Sequence, residues 1–223
     1  LQKVAPAETR KMKQEFKVFL EKTTQRGGHV LFVGTKRQAR DIVKATAEEV
    51  GMPFVTERWI GGLLTNFEEC KRRLKKFKQM REEVKTGEIE KYTKKEQTMF
   101  KKQLEKMEKY LNGLVLLDHV PDALYIADMR VEKTAVTEAL KTHVPVIGVC
   151  DTNVDPSKAT CVIPANDDAI NSIKLVADIM VEAVKEGRAK WEKKKQAMAK
   201  ETPSAPVVEM KKERRAFKKE ESV

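Results

Sequence analysis

Cysteine and histidine are scarce in this chain, with three of each among 223 residues. Cys70, Cys150 and Cys161 each stand in an apolar pattern, with neither CxxC spacing nor an even count. They read as reduced core residues of a cytosolic-type compartment rather than as a disulfide framework. The histidines, His29, His119 and His143, open strands or loops on different connections. No Ser or Cys occupies a nucleophile-elbow context, and no acid and base pair is set apart, so the sequence holds no catalytic constellation. No apolar run approaches the roughly 20 residues of a membrane span, and no signal peptide is visible, so a membrane is not an expected partner. A P-loop is lacking too: Gly28 and Gly34 have five residues between them rather than four, and Lys36 is displaced from the motif. Nor does an initiator Met open the chain; Leu1 stands first, so a front segment is expected upstream.

What is abundant is charge, at 35% of residues against the usual quarter, and its placement is uneven. Residues 66–112 hold fifteen Lys or Arg against nine Glu, and thus carry +6 of the chain's +11. Residues 113–184 hold eleven Asp or Glu against five Lys or Arg. Residues 1–65 and the stretch from Lys185 onward are basic. The chain therefore reads as an acidic half-domain flanked by basic parts.

In the basic segment, Phe67, Cys70, Leu74, Phe77, Met80 and Val84 recur at spacings of three and four, as do Phe100, Leu104, Met107, Leu111 and Leu114. Each series predicts a helix with one narrow apolar seam. Gly87 ends the first, and Thr93 with Glu96 forms the Thr-x-x-Glu capping box that begins the second. The expectation is an inserted antiparallel coiled-coil hairpin over 66–112. Its exposed cations, Lys71, Arg72, Arg73, Lys75, Lys76 and Lys78, suit a polyanion.

Elsewhere, five short apolar runs alternate with helical periods: HVLFVG (29–34), FVTER (54–58), ALYIAD (123–128), PVIGVCD (145–151) and CVIP (161–164). Near-continuously apolar strands between helices mean a parallel sheet covered on both faces, so the fold class is α/β, a doubly wound five-stranded sheet of flavodoxin-like order. Helices are expected near 8–25, 37–50, 131–142 and 168–186. Residues 1–65 and 113–186 make the α/β domain, and 187–223 a charged C-terminal tail, partly helical at first.

Two groups of side chains are expected at the carboxyl edge of the sheet. Gly34, Thr35, Lys36 and Arg37 follow the first strand at a helix start, where backbone amides favour an anion. Arg58 and Trp59 leave the neighbouring strand, offering a phosphate partner and a stacking face; equally, Trp59 could plug the base of the hairpin. Opposite them, Asp151, Asp167 and Asp168 end adjacent strands. Turns and helix caps use such residues, yet three converging carboxylates would also suit a divalent cation or a basic partner.

The strings LFVGTKRQA, ERWIGGLLTNF, TKKE, PDAL, VPVIGVCDTNVDP and IPANDDAI, in this order, resemble the bacterial-type small ribosomal subunit protein two family over roughly 30–188. The resemblance implies a non-enzymatic component of the small ribosomal subunit, cytoplasmic or in an organellar ribosome, whose basic hairpin packs along 16S-type ribosomal RNA. Partners so implied are that RNA and neighbouring small-subunit proteins, among them the large mRNA-binding ribosomal protein one, which docks on bacterial members and links them to initiation. The family's opening segment, absent before Leu1, contains a His. Such a ligand would complete a zinc site, in preference to magnesium, with Asp151, Asp167 and Asp168. No cofactor is required. Two rival readings are a nucleotide- or sugar-phosphate-binding α/β enzyme and a scaffold that uses the coiled coil to bind protein.

Overall fold

The structure, a computed structural model, describes the backbone of residues 6–201 and the side chains of residues 14–196. In chain order the elements are α1 (Pro6–Thr24), β1 (Val30–Val33), α2 (Arg37–Val50), β2 (Phe54–Val55), α3 (Phe67–Thr86), α4 (Lys94–Leu111), β3 (Ala123–Ile126), α5 (Lys133–Thr142), β4 (Val146–Cys150), β5 (Cys161–Pro164) and α6 (Ile170–Glu201). Short 3-10 turns lie at Glu88–Lys91, Asn112–Leu114 and Pro156–Lys158. The chain divides after Trp191 into two units. The first holds the sheet and every helix but the end of α6. Of the second, the described part is the helical stretch that finishes α6; the rest of the expected tail lies outside the described residues.

The sheet is wholly parallel, in the order β2-β1-β3-β4-β5, which is the 2-1-3-4-5 order of doubly wound folds. Leu31 pairs with Leu124, Leu124 with Val146, and Ile147 with Cys161. Strand side chains alternate between faces, and each face is apolar. Val30, Phe32, Ala123, Tyr125, Ile147 and Val149 pack with Phe16, Leu20, Val43 and Met180 from α1, α2 and α6. Leu31, Val33, Leu124 and Ile126 face the other way, among Trp59, Leu63, Leu74, Phe77, Leu114, Val136 and Ala139.

β2 is shorter than the expected 54–58. It lies at the edge, with β1 on one side only, and bonding stops once Gly34 N–H has reached Val55 C=O at 3.0 Å. Beyond it Glu57 turns to the cations Arg40 (3.3 Å) and Lys109 (3.6 Å) instead. Gly34 itself is a packing residue: a Cβ there would stand 2.7 Å from Val43, so its absence lets α2 close against the end of β1.

α3 and α4 form as the seam spacing predicts, and they pack on one another. Gly87 ends α3 in the left-handed region at φ 79°. Thr93 and Glu96 make the capping box at the start of α4. What the seam spacing does not reveal is its continuity with the main core. Cys70, Leu74, Phe77 and Leu111 belong to the same buried cluster as Leu31 and Leu124 of the sheet.

Candidate nucleic-acid interface

The cations of α3 are arranged by helical period. Cys70, Leu74 and Phe77 turn inward, which leaves Lys71, Arg72, Arg73, Lys75 and Lys76 exposed on the remaining arc. Arg72 and Arg73 both lie near Glu69, at 3.4 and 3.5 Å, in exposed pairs of small energetic worth. Lys78 is half-buried and pairs with Asp118 at 3.6 Å. Among the described residues Lys71, Lys75 and Lys76 have no ion-pair partner, so their charge is free for a ligand. Arg37 and Arg58 are exposed as well, one on the first turn of α2 and the other beyond β2.

The orientation of α3 is set by a residue that sequence reasoning passed over. Glu138, on the inner face of α5, is buried. Its carboxylate accepts the Trp59 indole N–H (3.1 Å) and the backbone N–H groups of Gly62 (2.8 Å), Leu64 (3.0 Å) and Thr65 (3.4 Å). This knot gathers the loop 59–65 onto α5 immediately before α3 begins. Gly62 takes φ 86°, which a side chain would strain. Burial alone would raise the Glu138 pKa, but the bonds from Gly62, Trp59, Leu64 and Thr65 outweigh it and hold the carboxyl below its ordinary value. Trp59 is therefore the plug of the loop rather than a stacking face for RNA; its ring is buried and its N–H is spoken for. A signal for Glu138 did exist: it is a lone carboxylate on the stripe of Ala135, Val136 and Ala139.

Lys36 also departs from expectation. Rather than facing the acidic group across the sheet edge, its ammonium sits within it, 3.0 Å from Asp128, 3.2 Å from Asp167 and 2.7 Å from Asp168. Its side chain is 16% exposed, while Asp128 and Asp167 are buried and Asp168 is 70% exposed. Burial would lower the Lys36 pKa, yet the bonds from Asp168, Asp128 and Asp167 raise it well above its ordinary value. Its charge is thus met by carboxylates inside the protein rather than offered to RNA in this arrangement.

The carboxylates expected to hold a cation do not fit one. Among the described residues no three His, Cys, Asp or Glu side chains are placed to ligate a metal. Asp151 is apart from the Lys36 cluster and accepts the N–H of Thr152 at 2.7 Å. Asp128, missed by the sequence reading, takes the third place, and Lys36 supplies the positive charge. Asp128 also receives the N–H groups of Arg130 (2.8 Å) and Val131 (3.1 Å). Asn166, rather than either aspartate, accepts the backbone N–H groups of Asp168 (2.8 Å) and Ala169 (3.1 Å) before α6. Burial raises the pKa of Asp167, with Lys36 opposing. It likewise raises that of Glu132, which accepts the N–H of Thr35 at 3.3 Å and also its hydroxyl.

The mouth of a doubly wound sheet, outside the carboxyl ends of β1 and β3 where the strand order reverses, is where such folds bind nucleotides. Here Lys36, Asp128, Asp167 and the Thr35–Glu132 pair gather there. A surface cleft of about 410 Å³ lies elsewhere, between α5 and the 153–158 turn, with Arg130, Lys133 and Lys158 among its lining. In comparison with known protein families, residues 4–187 match the model described as Ribosomal protein S2.

Proposed function

The chain belongs to the ribosomal protein S2 family, and we propose that it binds small-subunit ribosomal RNA through an antiparallel coiled-coil hairpin of α3 and α4. The family is one of structural, non-enzymatic proteins of the small ribosomal subunit. The observation that carries the RNA reading is the exposed arc of Lys71, Arg72, Arg73, Lys75 and Lys76, held rigid by a buried seam and by the Glu138 knot at its base. Arg37 and Arg58 add two further exposed cations outside α3. The acidic residues 113–184 avoid RNA and face protein neighbours. Among these is the mRNA-binding ribosomal protein one, whose docking links the chain to translation initiation. Its place of work is the ribosome of the cytoplasm.

Replacing Lys71, Lys75 and Lys76 together by Glu tests the RNA reading. Incorporation into small subunits should fall, and the dependence of RNA affinity on salt should flatten by about one unit of slope per lost phosphate contact. The circular dichroism spectrum should hardly change, because none of the three is buried. Unaltered incorporation would remove α3 from the RNA interface. A nucleotide-using enzyme finds no support at the sheet edge, where Lys36 and its carboxylates stand in the place a phosphate would take.

A further inference from the structure

The end of the hairpin away from the sheet carries an aromatic ring, Tyr92, that neither the seam nor the cap requires, set against Phe100, the first apolar residue of the α4 seam. Tyr92 follows the 3-10 turn Glu88–Lys91 and precedes the N-cap Thr93. Its backbone is fixed on both sides, since its N–H donates to Ile89 C=O at 3.2 Å and its C=O accepts Gln97 Nε2 at 2.9 Å. The ring stacks on Phe100, with centroids 6.4 Å apart and planes 19° from parallel. Even so, Tyr92 remains 48% exposed, and Met99 nearby in sequence is 64% exposed.

A rigidly held ring with one face backed by Phe100 and much of its surface open to water is preorganised for another flat group. The charges around it choose between possible occupants. Five lysines stand against three glutamates over residues 88–102. Of those glutamates, Glu96 is occupied by the capping box and Glu88 lies 3.8 Å from Lys91. Lys91, Lys94 and Lys95 are exposed beside the ring in sequence. Aromatic faces set among cations are how proteins hold unpaired bases: the ring stacks on the base while the cations meet the flanking phosphates. An acidic protein segment would satisfy the lysines but would leave the ring's polar-tipped flat face without a matching plane.

We propose that Tyr92, backed by Phe100, is a stacking platform for an unpaired nucleobase of the small-subunit RNA, with Lys91, Lys94 and Lys95 flanking it. This rests on the RNA reading of the hairpin and adds to it a contact that is not electrostatic.

The test compares Tyr92→Ala, Tyr92→Leu and Tyr92→Phe in the full chain, with the small-subunit ribosomal RNA transcript as probe. Tyr92→Phe should bind as the parent does. Tyr92→Ala and Tyr92→Leu should lose affinity by about 5- to 140-fold, the span of one base–aromatic stack, with the salt slope unchanged. Leu keeps an apolar side chain against Phe100, so its loss would not be a folding effect, and helicity by circular dichroism checks this. If Tyr92→Leu binds like the parent while the Lys71, Lys75 and Lys76 triple variant is weakened, stacking is overturned and the RNA reading stands. If neither is weakened, both fall. If Tyr92→Leu spares RNA affinity but loosens a neighbouring protein in assembled particles, the platform is protein-facing and the proposal is overturned.

Discussion

Glu138 carries more of the site's geometry than any of its cations. Three donors that point inward, the Trp59 indole and the amides of Gly62 and Leu64, have this carboxylate as their acceptor. Removing it orphans them, and a buried unpaired donor costs about 1–3 kcal/mol. Glu138→Ala should therefore cost about 3 kcal/mol in urea unfolding. The charge state adds a pH signature. The folded pKa of Glu138 lies below the unfolded value of about 4.3. Its contribution is thus full above the unfolded pKa and is lost as pH falls through the folded one. Asp167 and Glu132 act in the opposite sense, because burial raises their folded pKa values; what they contribute is full below the unfolded pKa and is lost as pH rises through the folded one. Glu138→Gln should accordingly flatten the acid limb of the stability curve relative to the parent. Matching acid limbs in the two proteins would mean that another carboxylate governs acid unfolding.

At the scale of elements, what was legible in the chain was what depends on near neighbours in sequence. The seam periods over 67–84 and 100–114, the stop at Gly87 and the Thr93–Glu96 box each use residues within one or two turns, and all three form. Strand order was legible too, since right-handed crossovers leave few arrangements for five apolar runs. The Lys36 cluster and the Glu138 knot were not, because each joins residues about 75 to 130 positions apart and no local pattern encodes the meeting. The same blindness hid the boundary of the inserted helices. Cys70, Leu74, Phe77, Leu111 and Leu114 pack into the sheet's core, whereas Met80 and Ile89, although buried, belong to neither core cluster. A cut at 66–112 would therefore open the core, while a cut farther out would not. Replacing residues 81–100 by a short Gly-Asn turn should leave a cooperative thermal transition and weaken RNA binding; deleting 66–112 should abolish that transition. A deletion of 66–112 that still melts cooperatively would show the whole hairpin to be a separable module.

Over the whole molecule, charge is sorted into two kinds. Some of it is consumed internally: Lys36 meets Asp128, Asp167 and Asp168, and Arg40 and Lys109 both reach Glu57. Among the described residues much of the remainder is exported on α3 and α4, where lysines outnumber the carboxylates that could neutralise them. A net charge of +11 hides this distinction, and so does the helix-start position that suggested an anion contact for Lys36. The two kinds have different signatures. An exported lysine displaces counterions when it meets a phosphate, so it sets the slope of affinity against salt. An internal one sets stability, because its loss leaves buried carboxylates uncompensated at a cost of about 3 kcal/mol or more. Lys36→Gln should then lower the urea midpoint markedly, yet leave the salt slope of RNA binding, measured below that midpoint, equal to the parent's. Lys75→Gln should do the reverse, reducing the slope by about one with little change in the urea midpoint. A reduced slope in Lys36→Gln would mean that Lys36 leaves its three carboxylates to meet a phosphate, and would restore the sheet edge to the RNA interface.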